Sequence, residues 1–132
     1  MENLYWAEER GDKGSFPEVI LDAEKEYVSF EGDCNPEDTD AFFEPIFTWI
    51  TQFLQTEGRK VIFRYKMSFV HDPSLRYMQK LFNTLGKYQS SGKGSVFLSL
   101  HAVFSDTDAQ DDIESFTEHL DCPREIVLHD NF

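Results

Sequence analysis

The order of apolar segments predicts an α/β fold: a single domain on a mixed, mostly parallel sheet, with an N-terminal hairpin and about three helices. Three observations carry this. Short runs rich in β-branched and aromatic residues recur along the chain, segments with apolar residues at helical spacing separate the later runs, and Gly, Pro and Asp punctuate the joins. Strands that alternate with helices become parallel neighbours joined by right-handed crossovers.

Each element follows from local pattern. Residues 1–15 are mostly polar, with Leu4, Tyr5 and Trp6 as the main apolar group and Gly11 and Gly14 loosening the backbone, so a flexible or loosely docked arm is expected there. Trp6 is expected to dock on its own domain, which runs from residue 16 to 132. Val19–Leu21 and Tyr27–Phe30 flank the polar segment Asp22–Glu26, the pattern of a hairpin. The hairpin hands over at Glu31-Gly32-Asp33, and Asn35-Pro36-Glu37 predicts a helix-starting turn. Phe43, Ile46, Phe47, Ile50, Phe53 and Leu54 form the stripe of a first helix. Pro45 marks either its first turn or a kink, and Gly58 its end.

Lys60–Val70 reads as a strand covered on both faces. Leu75, Met78, Leu81, Phe82 and Leu85 then recur at helical spacing, with Gly86 near the end of the pattern. Beyond the turn at Ser90–Gly94, Val96–Val103 predicts a strand. Ser105 is placed to cap a third helix with a thin apolar face of Ile113, Phe116 and Leu120. Cys122-Pro123 ends it, and Ile126–Leu128 makes a last short strand.

Composition narrows the function classes. The chain has 132 residues with 13 Phe and 40% hydrophobic content, which favours one packed core over disorder. A formal net charge of -13 disfavours nucleic acid and anionic membrane surfaces as partners. No apolar run is long enough to span a bilayer, and Met-Glu-Asn-Leu-Tyr-Trp lacks the features of a signal peptide, so a cytoplasmic location is expected. Cys34 and Cys122 form no CxxC pair and are expected as free thiols.

The chain shows no assembled catalytic set, and neither a cofactor nor a metal is expected. His71, His101, His119 and His129 are scattered without a metal-ligand spacing, and no GxSxG, Walker or GxGxxG motif occurs. Asp106, Asp108, Asp111, Asp112, Glu114 and Glu118 make the strongest charge cluster. Its calcium-loop character fails, because Asp111 stands where the loop needs Gly and Thr117 where it needs Glu. Acids there complement a helix macrodipole, and the same face can steer a basic partner.

The most informative stretch is Phe-Val-His-Asp-Pro-Ser-Leu-Arg-Tyr-Met at 69–78, where an apolar strand breaks into a helix. Asp72 followed by Pro73 reads as N-cap and N1, a structural role worth about 1 kcal/mol. The polar turn His71, Asp72, Pro73 and Ser74 is also where function is expected. Phe69 and Tyr77 flank it as candidate partner-facing aromatics, although either can serve the core.

Phe30-Glu31-Gly32-Asp33-Cys34-Asn35-Pro36-Glu37, Phe42-Phe43-Glu44-Pro45, the segment 67–78 and the Cys122-Pro123 terminus together resemble the SiaC-type biofilm-regulatory phosphoproteins, a family of bacterial partner-switching regulators. The resemblance implies a fold like that of anti-sigma-factor antagonists and a signalling regulator without a catalytic site. It also implies a threonine at the start of the second helix that a dedicated kinase phosphorylates and a phosphatase restores. The unphosphorylated form would bind and activate a diguanylate cyclase, raising cyclic di-GMP. Here the family's Asn-Thr-Ser-Ser is replaced by His71-Asp72-Pro73-Ser74, so Asp72 occupies the acceptor position. Three outcomes are open: Ser74 serves as phosphoacceptor, Asp72 fixes a phosphorylated-like state, or this branch uses another partner and no phosphorylation. The alternatives are an anti-sigma-factor antagonist that binds a switch kinase, and a small-ligand-binding protein or enzyme using the acidic helix start with His101.

Overall fold

The computed structural model describes residues 1–132. In chain order the elements are β1 (Leu4–Trp6), β2 (Glu9–Gly11), β3 (Gly14–Phe16), β4 (Glu18–Asp22), β5 (Tyr27–Pro36), α1 (Thr39–Phe53), β6 (Lys60–Val70), α2 (Asp72–Ser90), β7 (Ser95–Val103), α3 (Thr107–Thr117) and β8 (Arg124–His129). The sheet runs β1-β4-β5-β6-β7-β8, antiparallel through β5 and parallel from β5 onward. The mixed sheet with an N-terminal hairpin and three helices is the architecture expected from the sequence.

Each parallel strand adds beside its predecessor, so crossovers of one hand lay all three helices on one face. β6 records the result. Val61, Phe63, Tyr65 and Met67 are buried, whereas Ile62 is 45% exposed between two of them. The expectation of two covered faces therefore fails for β6: its other face lies open, and its aromatic and β-branched residues are divided between core and surface. The covered face meets Phe43, Ile46 and Ile50 of α1, Met78, Phe82 and Leu85 of α2, and Ile113 and Phe116 of α3 in one core. On the open face, Arg64 donates to Glu31 at 2.7 Å, and Lys66 stands 3.9 Å from the same carboxylate.

The N-terminal segment is more structured than its composition suggested. Leu4–Trp6 pairs with β4, and β2 and β3 form a hairpin that continues onto β5. Trp6 packs against the core, and the backbone carbonyl of Glu2 accepts the Trp49 indole N–H at 2.7 Å. Gly14 makes the β3–β5 approach possible. Its φ is +102°, and a Cβ there would lie 2.2 Å from the Asn35 carbonyl oxygen. Gly14→Ala is expected to destabilise the domain by about 2 kcal/mol, because strained backbone and a backbone clash coincide. Urea denaturation followed by tryptophan fluorescence checks this, and an unchanged midpoint would contradict the tight approach.

Three boundaries differ from expectation. Asn35-Pro36 stays in β5, and α1 begins only at Thr39, where Asp38 accepts the Ala41 N–H at 3.1 Å. Pro45 falls inside α1 rather than in its first turn. Asp106, not Ser105, caps α3, accepting the Ala109 N–H at 3.0 Å. At both helix starts a carboxylate within reach of a free N–H fixes the boundary more firmly than the proline or serine nearby. No helix is long and apolar enough to cross a membrane.

Candidate functional site

The turn at 71–74 forms where the parallel strands end. β5 carries a register shift between Gly32 and Asp33, with Gly32 at φ +117°, and its last residues then pair Asp33 with Phe69 and Cys34 with Val70. The pairing extends one residue further, as the His71 N–H donates to the Cys34 carbonyl at 3.0 Å. Crevices at the carboxyl ends of parallel strands are where open α/β sheets bind their ligands.

His71, rather than Asp72, is the N-cap of α2. Its backbone is extended (φ -73°, ψ 160°), and its Nδ1 accepts the Ser74 N–H at 3.3 Å. With Nδ1 accepting, the ring proton sits on Nε2 and faces the Thr39 hydroxyl of α1 at 3.5 Å. The one-residue correction frees Asp72. It becomes the first residue of α2, exposed, with no hydrogen bond or ion pair to its carboxylate and with Pro73 behind it. A carboxylate there is favoured by the helix dipole without being consumed by capping.

Ser74 is placed very differently. It is fully buried, and its Oγ accepts from the Cys34 thiol at 3.4 Å. Burial pushes the Cys34 thiol up to about 11, so this cysteine stays protonated at neutral pH. Cys122 is buried as well, and both thiols are free. The serine that the sequence offered as a phosphoacceptor thus lines the packed start of α2.

Phe69 and Tyr77 point to separate clefts. Phe69 is 53% exposed at the end of β6 and borders a cavity of about 340 Å³ between β6, the start of α2 and α3. Tyr77 stacks on Phe43 with ring centroids 4.5 Å apart, and its hydroxyl donates to Asp40 in a groove between α1 and α2. The turn, Phe69 and the acidic start of α3 therefore converge, and Tyr77 lies apart from them.

The 340 Å³ cavity collects Asp72, Asp106, Asp108 and Asp112 above apolar walls that include Tyr65, Met67, Leu75 and Ile113. Burial raises the Asp112 carboxyl above its ordinary range, and repulsion from Asp108, Asp106, Asp111 and Asp72 adds to the rise. An acid whose folded value is raised costs stability as pH climbs through its range, and the cost is complete once the folded group has ionised. Asp112→Asn is accordingly expected to raise Tm at pH 7, with the gain vanishing near pH 3, where both states carry the protonated acid. Thermal scans at the two pH values check the sign. Tyr65 lies within Lys60–Val70, which the sequence reads as a strand covered on both faces, and nothing in that reading marks it as a site residue. The signal that could have singled it out is a hydroxyl on a stripe otherwise filled by Val61, Phe63 and Met67.

The rival constellation of His101 with the acidic helix start is not assembled. His101 lies between the buried residues Leu100 and Ala102 and so faces the open side of the sheet. There its Nε2 meets Ser99 Oγ at 2.8 Å and its Nδ1 meets His129 Nε2 at 2.9 Å. Burial lowers the basicity of His101, with Arg64, His129 and Lys66 adding to the effect. His119 hydrogen-bonds Asn83 at 2.9 Å elsewhere, and no group of three or more metal-ligating side chains converges.

Among curated proteins, no sequence matches this chain. Among solved structures, SiaC of Pseudomonas aeruginosa superposes with a TM-score of 0.84 at 21% identity, covering 98% of this chain and all of that one. Apo-SiaC from the same organism gives 0.81 at 22% identity over 96% of this chain and 98% of that one. The SiaC-type match in the crystal structure of the diguanylate cyclase SiaD in complex with its activator SiaC, also from P. aeruginosa, gives 0.81 at 22% identity over 94% of this chain and 100% of that one. These likenesses establish the fold. The profile of the SiaC family regulatory phosphoproteins matches residues 10–128, nearly the whole domain, and this chain belongs to that family.

Proposed function

We propose that this chain is a non-catalytic, cytoplasmic signalling regulator that acts by binding a diguanylate cyclase, with a kinase or phosphatase as its other partners. The observation that carries the reading is Asp72: an exposed, unpaired carboxylate at the first position of α2, lining the same cavity as the half-exposed Phe69. This is the place where the family resemblance puts a phosphorylated threonine. Support also comes from the SiaC of P. aeruginosa, which has this fold and is described as the activator of the cyclase SiaD.

Asp72 sets the charge of the turn permanently. Phosphate on a threonine would bring about -1.5 to -2 charge and three acceptor oxygens, whereas aspartate brings one charge and two oxygens. The turn is thereby held in one intermediate state, and the sealed Ser74 gives a kinase no substitute acceptor. Partner choice in this branch is set by binding and abundance, without a phosphate switch at position 72.

Affinity purification from native cells with mass spectrometry, comparing wild type with Asp72→Thr and mapping phosphopeptides across residues 67–80, tests this. The expected result is a diguanylate cyclase among the partners of the wild-type chain, no phosphate on its 67–80 peptide, and a phosphate on the introduced threonine. Recovery of no cyclase, kinase or phosphatase with either chain would overturn the reading. Capture of a sigma-regulating kinase in place of a cyclase would replace it with the antagonist role.

A further inference from the structure

We infer that the cavity between the carboxyl end of β6 and the starts of α2 and α3 is a socket for an arginine side chain of the partner protein, seated between Asp108, Asp112, the Tyr65 hydroxyl and the ring of Phe69. The inference rests on the partner-binding reading above and names the chemistry by which this same surface would hold its partner.

Two independent observations point to a ligand. The first is Tyr65, which is only 4% exposed and borders the cavity, yet its hydroxyl has no hydrogen-bond partner on the protein. No buried side-chain polar atom of the chain is left sealed and unsatisfied, so this hydroxyl keeps access to open space, and the cavity is the space that Tyr65 lines. The second is charge. Asp72, Asp106, Asp108 and Asp112 line the cavity, and no lysine, arginine or histidine lines it. Asp106 is partly engaged in capping α3, whereas the carboxylates of Asp72, Asp108 and Asp112 have no hydrogen-bond or ion-pair partner on the protein.

The geometry separates the kinds of cation. A bare divalent ion needs several converging hard ligands, and no group of three does so here. A guanidinium suits the walls better. It is flat, carries five donors in a fixed fork for two carboxylates and a phenol oxygen, and stacks on an aromatic face such as that of Phe69. Lysine would offer a compact, strongly hydrated charge that uses neither the flat ring nor the spread of acceptors. Met67, Leu75, Ala109 and Ile113 supply apolar contact for the arginine stem.

The experiment is an NMR titration of the ¹⁵N-labelled full chain with N-acetyl-arginine amide, beside the neutral isostere N-acetyl-citrulline amide. The arginine probe is expected to shift the amides of Tyr65, Phe69, Asp108 and Asp112 saturably, and the citrulline probe to leave them unmoved. Asp108→Asn with Asp112→Asn is expected to weaken binding about fivefold, the range of a partly exposed ion pair. Tyr65→Phe, which keeps the ring and the core, is expected to weaken it about twofold to fivefold. Equal shifts from citrulline, shifts confined to another surface, or displacement of the arginine probe by MgCl2 would each overturn the socket. A cyclase captured equally well by wild type and by the Asp108→Asn, Asp112→Asn variant would overturn the socket and leave the proposed function standing. Saturable arginine binding in a chain that captures no cyclase would uphold the socket and remove the cyclase reading.

Discussion

Replacing Ser74 by aspartate is expected to destabilise the domain by about 2–4 kcal/mol, whereas alanine at the same position changes stability by less than about 1 kcal/mol. The asymmetry follows from burial. Ser74 is fully inaccessible, and its only side-chain partner is the Cys34 thiol. An unpaired carboxylate left in such a place costs about 3–5 kcal/mol. The start of α2 returns part of this, since the dipole and free N–H groups of a helix N-terminus stabilise an acid by roughly 1 kcal/mol. The desolvation penalty still outweighs that gain. Alanine removes one weak thiol–hydroxyl contact and leaves no charge behind, so its effect stays small. Urea denaturation of both variants measures this. The same comparison bears on control: if aspartate were tolerated as well as alanine, Ser74 would be open to phosphate and could inherit the acceptor role. A large penalty means that a kinase reaches Ser74 only after the first turn of α2 has opened.

Much of this architecture is legible in the sequence because periodicity reports burial. Leu75, Met78, Leu81, Phe82 and Leu85 announce α2, and all but Leu75 are fully buried in it. The site is legible in outline for a related reason: a strand that breaks into Asp-Pro has to place a polar turn at the end of the sheet. What stayed hidden depends on contacts between distant segments. Asp72 was the natural N-cap by residue preference, yet the imidazole of His71 reaches the Ser74 N–H and takes the position. A one-residue shift changes the meaning of Asp72 from a cap to a free surface charge. Ser74 carries no sequence signal of burial, because its side-chain partner, Cys34, lies forty residues earlier. The bare second face of the sheet was equally invisible. Lys60–Val70 is apolar enough for two covers, but three crossovers of one hand supply only one.

The second large effect tests that one-sided core and its tie to the site. Phe82→Ala is expected to destabilise the domain by about 3–5 kcal/mol, the range for truncating a fully buried phenylalanine. Phe82 stands at the centre of an aromatic cluster, with ring centroids 4.9 Å from Phe63, 5.4 Å from Tyr65 and 5.1 Å from Phe116, the last pair stacked. Its loss removes these contacts together with the apolar area and leaves a void that packed strands cannot close. By contrast, Phe97→Ala on the open face, where the ring is 36% exposed and no helix covers the sheet, is expected to cost less than about 1 kcal/mol. The two phenylalanines would then differ severalfold in their loss of stability, and similar values would argue against a core confined to one face. The void also lies behind Tyr65, whose ring is held by Phe63, Phe82 and Phe116. Once Phe82 is gone, the tyrosine can tilt inward and draw its hydroxyl away from the cavity. Phe82→Leu fills more of the space and is expected to keep both the fold and the Tyr65 amide resonance close to wild type. Phe82→Ala is expected to shift that resonance even at a urea concentration where the chain remains folded, because the tyrosine that borders the acidic cavity is held in position by the core behind it.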